Sequence, residues 1–86
     1  MYYIYIIECF DGSLYTGSTI DVEKRFKDHL VGKGAKYTKS HKPVKVVYQE
    51  EFVTKSEALR REIEIKKWPK GKKHAMIANQ YKPHSN

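Results

Sequence analysis

Tyr2-Tyr3-Ile4-Tyr5-Ile6-Ile7 is apolar and aromatic almost without a break, the pattern of a strand covered on both faces and so central in its sheet. Asp11-Gly12 follows as a hairpin turn. The returning partner strand is expected over Ser13–Thr16, ending at Gly17, with Ser18, Thr19 or Asp21 free to cap the next element. Residues 21–31 have the period of a helix, because Val22, Phe26 and Leu30 recur every fourth position as a buried stripe. Gly32 is a natural stop. Arg25 and His29 lie one turn apart on the shoulder of that stripe.

From 32 to 43 the apolar period disappears into a Gly- and Lys-rich loop. It resumes at Val44 as a third strand to Phe52. Thr54-Lys55-Ser56-Glu57 matches a capping box before a long helix, roughly 56–68, that stops at Pro69. A short third helix is expected over Lys70–Asn79, carrying Ala75, Met76 and Ile77. The order β-β-α-β-α-α predicts a small α+β domain, helices packed on a three-stranded, mainly antiparallel sheet. Residues 1–79 form one domain in this reading, and the polar segment 80–86 is a flexible tail.

One residue sits badly in that pattern. Ala58, Leu59, Ile63 and Ile65 share one side of the long helix, with Glu57, Arg60, Glu64 and Lys67 opposite, and Glu62 falls inside the apolar arc. A carboxylate facing a core needs a partner, since an unpaired buried charge is strongly unfavourable. Two readings are open. Arg25 or Lys66 neutralises it structurally, or it holds a divalent cation at the edge of a cleft.

The 86 residues allow only one modest core, because a chain this short buries roughly 60–65% of its unfolded surface. The lone Cys9 has no disulfide partner within the chain and is expected as a buried, inert thiol, in keeping with a reducing cytoplasm. Met1–Ile7 has no basic flank or small-residue cleavage pattern, and no apolar run is long enough to cross a bilayer. A cytoplasmic protein with no membrane partner is expected, as a monomer.

Charge changes the picture more than size. Of the net +7, residues 32–45 hold five lysines and no acid, and residues 66–82 hold six lysines and no acid. The rest of the chain is net acidic. Segregation of this kind suggests a surface facing a polyanion, with solubility alone as the plain alternative. Lys33, Lys36, Lys39 and Lys42 are the expected phosphate contacts.

Taken together, Tyr3-Ile4-Tyr5, Tyr15-Thr16-Gly17, Arg25, His29 and Glu62 within Ala58-Leu59-Arg60-Arg61-Glu62-Ile63 resemble the GIY-YIG nuclease family, in its short stand-alone UPF0213 type. The two tripeptides stand where the family has Gly-Ile-Tyr and Tyr-Ile-Gly, and the resemblance runs from Tyr2 to about Asn79. It implies that Tyr5 positions or deprotonates the attacking water with Tyr15 assisting, that Arg25 holds the scissile phosphate, and that Glu62 binds one Mg²⁺ or Mn²⁺. Many members carry an asparagine after the glutamate helix, for which Asn79 is the candidate.

A phenol has an ordinary pKa near 10 and needs nearby positive charge to act as a base at neutral pH. His29, ordinarily near 6.5, is the easier proton acceptor and is kept as an alternative base. A partly buried histidine hydrogen-bonded to a tyrosine is the structural alternative. The expected function is a metal-dependent endonuclease acting on DNA, structure-directed or weakly sequence-selective, with RNA as a second possible polymer. The competing expectation is a nucleic-acid-binding module of the same fold with little or no catalysis, acting with a partner protein.

Overall fold

The computed structural model describes residues 1–80. Seven elements follow in order: β1 (Tyr2–Cys9), β2 (Leu14–Thr19), α1 (Val22–Leu30), α2 (Lys36–Ser40), β3 (Pro43–Phe52), α3 (Lys55–Lys66) and α4 (Lys70–Asn79). Apart from the five-residue α2, this is the expected β-β-α-β-α-α order. The expected tail lies outside the described residues except for Gln80, whose side-chain amide donates to the Val47 carbonyl. Among the described residues no helix is long and apolar enough to cross a membrane.

The sheet is antiparallel in the order β2-β1-β3, so the most apolar strand is central, as its pattern requires. Asp11 and Gly12 make the turn. Gly12 takes φ 84°, and the Asp11 carboxylate accepts from the Ser13 N–H at 3.1 Å and the Ser13 hydroxyl at 2.6 Å. Alternation along β1 sends Ile4 and Ile6 to one face, where they pack on Ala58 and Ile65 of α3 with Trp68, Met76 and Ile77 around them. Tyr5, Ile7 and Cys9 point to the other face and pack on Val22 and Phe26 of α1. The sheet is thus covered on both sides. Cys9 is buried, and burial pushes its thiol up, away from reactivity.

The structure corrects the expected outline in four places. β2 does not stop at Gly17 but runs on to Thr19. Gly17 pairs with Tyr5, and a Cβ there would lie 2.6 Å from the Tyr5 phenol oxygen, so this glycine makes room and does not end the strand. In α1, capped by Asp21 through the Lys24 N–H at 3.1 Å, Leu30 is exposed and His29 takes the buried position after Val22 and Phe26. The loop over 32–43 contains α2, whose only buried side chain is Thr38, too little to produce an apolar period. Finally, α3 has the expected capping box but ends at Lys66, ahead of the Trp68-Pro69 step that disfavours helix. Leu59 and Ile63 are exposed, and the inward stripe is Ala58, Arg61, Glu62 and Ile65.

Candidate active site

Tyr5 starts from the central strand, and its side chain is buried, 1% exposed. The ring passes over Gly17 on the neighbouring β2 and ends against α1, where Oη lies 2.8 Å from His29 Nε2. His29 is fully buried, and its other nitrogen, Nδ1, is 2.6 Å from the Thr38 hydroxyl. That hydroxyl has one proton and gives it to the Ala35 carbonyl at 3.2 Å, so toward His29 it can only accept. Nδ1 therefore carries the imidazole hydrogen, and Nε2 presents its lone pair to the Tyr5 O–H. Gly34 closes over this imidazole so tightly that a Cβ there would collide with its ring atoms.

The electrostatics agree with a neutral histidine. Burial lowers the His29 pKa, the Arg25 charge lowers it further, and Asp28 opposes them in part. The Tyr5 phenol is pushed up to about 12, first by burial and then by Tyr15, with Glu62 adding to the rise and Arg25 working against it. Tyr15 stands beside both groups, its ring centroid 6.3 Å from Tyr5 and 5.1 Å from His29.

Arg25 reaches across the same region from α1. Its Nη2 donates to the Gly34 carbonyl at 3.0 Å and its Nη1 lies 3.8 Å from Asp28. These contacts fix the guanidinium plane while leaving the side chain about a third exposed, at 35%. Glu62 arrives from α3 on the other side of β2. Ser18 Oγ donates to Glu62 Oε1 at 2.8 Å, and Lys66 Nζ lies 2.7 Å from Oε2. Lys66 also lies over the Tyr15 ring at 5.8 Å. A cleft of about 490 Å³ is lined by Ser18, Arg25 and Asp28, with Thr19 to Asp21 and Lys24.

The partner that neutralises Glu62 is thus Lys66, not Arg25, and Ser18, expected only as a strand end or cap, helps hold the carboxylate. Among the described residues no three His, Cys, Asp or Glu side chains gather to cage a metal. The donors suit a cation held by one carboxylate and otherwise by water and phosphate oxygens, which is how magnesium is commonly bound. Lys66 is 47% exposed, so the ammonium on Oε2 is open to solvent.

Tyr5, Tyr15, Arg25, His29 and Glu62 thus gather around β2. Lys39 and Lys42 line a second cleft, of about 350 Å³, which His29 and Thr38 also border. Lys33 and Lys36 are exposed beside it. Asn79 is apart from the group: it is the exposed last residue of α4, and the adjacent Gln80 bonds to β3, the sheet edge opposite β2. Thr38 and Gly34 went unnoticed in the sequence because they lie in a stretch with no period, where a threonine and a glycine look like ordinary loop residues.

The GIY-YIG catalytic domain model matches residues 1–75. A UPF0213 protein of Staphylococcus saprophyticus is 58% identical over 77 residues, covering 90% of this chain and 94% of its own length. A UPF0213 protein of Cupriavidus necator is 54% identical over 77 residues, covering 90% and 84%. The solution NMR structure of a UPF0213 protein from Bacillus halodurans superposes with a TM-score of 0.61 at 45% identity, covering 96% of this chain and 89% of that one. With the motif tyrosines, the arginine and the glutamate gathered around β2, this chain belongs to the GIY-YIG nuclease family, among its UPF0213 members.

Proposed function

We propose that the protein is a metal-dependent endonuclease that hydrolyses DNA phosphodiester bonds, selecting its substrate by structure or by weak sequence preference. The observation that carries this reading is the directed chain Tyr5–His29–Thr38, set beside the part-exposed Arg25 and the Glu62 carboxylate. A phenol near pKa 12 does not ionise unaided at neutral pH. With a neutral imidazole accepting at its oxygen, it need not. Tyr5 Oη takes a proton from the attacking water as its own proton passes to His29 Nε2, so that His29 is the ultimate base and Tyr5 the relay. Thr38 keeps Nδ1 protonated throughout, so the incoming proton has only Nε2 to go to.

Arg25 supplies a forked pair of N–H donors for the non-bridging phosphate oxygens, in a plane already fixed by Gly34 and Asp28. Glu62, oriented by Ser18, would hold the divalent cation, which when bound neutralises charge on the phosphate and the departing oxygen. Tyr15 packs against both Tyr5 and His29 and keeps bulk water from the relay. Lys39 and Lys42, bordering the cleft over His29, contact phosphates on either side of the cut.

One observation favours the second reading, a binding module without chemistry: both oxygens of Glu62 already have protein partners. Nicking of supercoiled and branched DNA by the purified protein with Mg²⁺ or Mn²⁺, beside Glu62→Ala, separates the two. The endonuclease reading expects cleavage by the parent and none by the variant, with DNA binding retained. Equal cleavage by both would remove Glu62 from its role, and no cleavage by either would leave the binding module. RNA substrates in the same assay decide the polymer.

A further inference from the structure

The tip of the β1–β2 hairpin carries an aromatic side chain that the turn does not need. Phe10 is 83% exposed, more than any other large apolar residue described, and its part in the fold is played by its backbone N–H, which donates to the Lys42 carbonyl at 2.9 Å. Beside it opens a cleft of about 330 Å³ lined by Phe10, Asp11, Ser40, His41 and Lys42. The His41 ring lies flat on Tyr37, centroids 4.0 Å apart and planes 4° apart. Tyr37 in turn stacks toward Tyr15 at 6.1 Å and 24°. Aromatic rings therefore run without interruption from the Tyr5–His29 centre to this cleft.

The platform is rigid. His41 Nδ1 lies 2.9 Å from the Tyr37 carbonyl and 3.1 Å from the Ser40 hydroxyl, contacts that hold the ring against Tyr37. Lys42 follows in the left-handed region, at φ 27°, held there by the bond from Phe10. The flank is cationic, with Lys36 and Lys39 on the helix of Tyr37 and no acid between residues 32 and 45. Asp11 is the one carboxylate lining the cleft, and it is turned back onto Ser13.

We propose that this cleft binds an unpaired nucleobase of the strand being cut, stacked on His41 with Phe10 closing over it and Lys42 reaching the adjoining phosphate. Charge and shape both select this occupant. A polyanion is drawn to the lysines, and a flat aromatic ring fits a preformed aromatic face. In a duplex each base face is covered by its neighbours, whereas a single strand, flap or gap offers one freely. Stacking tolerates any base, so the site reads pairing state and not sequence. The inference rests on the nuclease reading and narrows its substrate to nucleic acid with unpaired residues near the scissile phosphate.

The test is equilibrium binding in EDTA, where hydrolysis is suppressed, of labelled oligothymidylate, the same strand made abasic, and a duplex, to the parent protein, Phe10→Ala and His41→Ala. Each variant is expected to weaken oligothymidylate binding about fivefold or more, the loss of one stacked base, and to leave abasic and duplex binding unchanged. Phe10 is exposed, so its truncation spares the core. Unchanged oligothymidylate binding in Phe10→Ala, or an equal loss on the abasic strand, would overturn the proposal. Nicking by the same variants is scored separately. Cleavage without base-dependent binding sinks only the stacking site, and base-dependent binding without cleavage sinks only the nuclease reading.

Discussion

At Tyr5 the difficulty is where a proton can go. A phenolate there at neutral pH would be expensive, but a histidine held in one tautomer by Thr38 offers the proton an acceptor 2.8 Å away. His29 must then be neutral, and both burial and Arg25 favour that. The sign for stability follows from its depressed pKa. Below the ordinary histidine value near 6.5 the unfolded chain takes up a proton that the folded one resists, so stability is complete above that pH and declines as pH falls toward the lower folded value. Urea midpoints at pH 7.5 and 5.5 should show this decline, and His29→Gln should flatten it; a parent protein equally stable at both would contradict the buried neutral imidazole. Cleavage should lose rate on the same acid limb, and Tyr5→Phe should abolish it while sparing DNA binding. Strand and helix periods place Tyr5 and His29 on adjoining elements, and the structure brings their side chains to 2.8 Å. Sequence alone could not supply Thr38, since the role of that hydroxyl depends on a carbonyl three residues back.

At the level of elements, the position of Glu62 depends on how α3 is clamped to the sheet. Arg61, its chain neighbour, makes two bonds of 2.9 Å to Glu50 on β3 and lies against the Trp68 ring at 5.1 Å. Burial alone would raise the Glu50 carboxyl, but bonds from Arg61 and Tyr48 bring it below its ordinary value. Arg61→Met should cost about 2 kcal/mol by urea unfolding, because it strands a half-buried carboxylate. A loss below about 0.5 kcal/mol would class the pair with surface ion pairs that contribute little. This clamp also explains why the helix face was misjudged from sequence. Leu59 and Ile63 look like core by hydropathy, yet the inward stripe admits Arg61 and Glu62 because each has a partner waiting on the sheet. Pairing decided the orientation of the helix as much as apolarity did.

Across the whole molecule, two lysines of residues 32–45, Lys39 and Lys42, line clefts, one of which His29 also borders. Binding to any DNA should fall steeply between low and moderate salt, and Lys39→Gln with Lys42→Gln should reduce the slope of log affinity against log salt by about one per lysine. A slope unchanged by both would place the phosphates elsewhere. The α+β layering was legible because a central apolar strand, a capping box and two stop signals are local features. The candidate site as a whole was less so, since it forms where side chains from both faces of the sheet meet around β2. One further consequence comes from β1 itself. Tyr5 is enclosed between Gly17 of β2 and Gln49 of β3 in the central strand, so its backbone is released only when the sheet separates. Fraying of the short α2 or the terminal α4 leaves the phenol where it is. Amide exchange at Tyr5 should accordingly proceed only through global opening, which makes the lifetime of the phenol's scaffold the same as the lifetime of the native state.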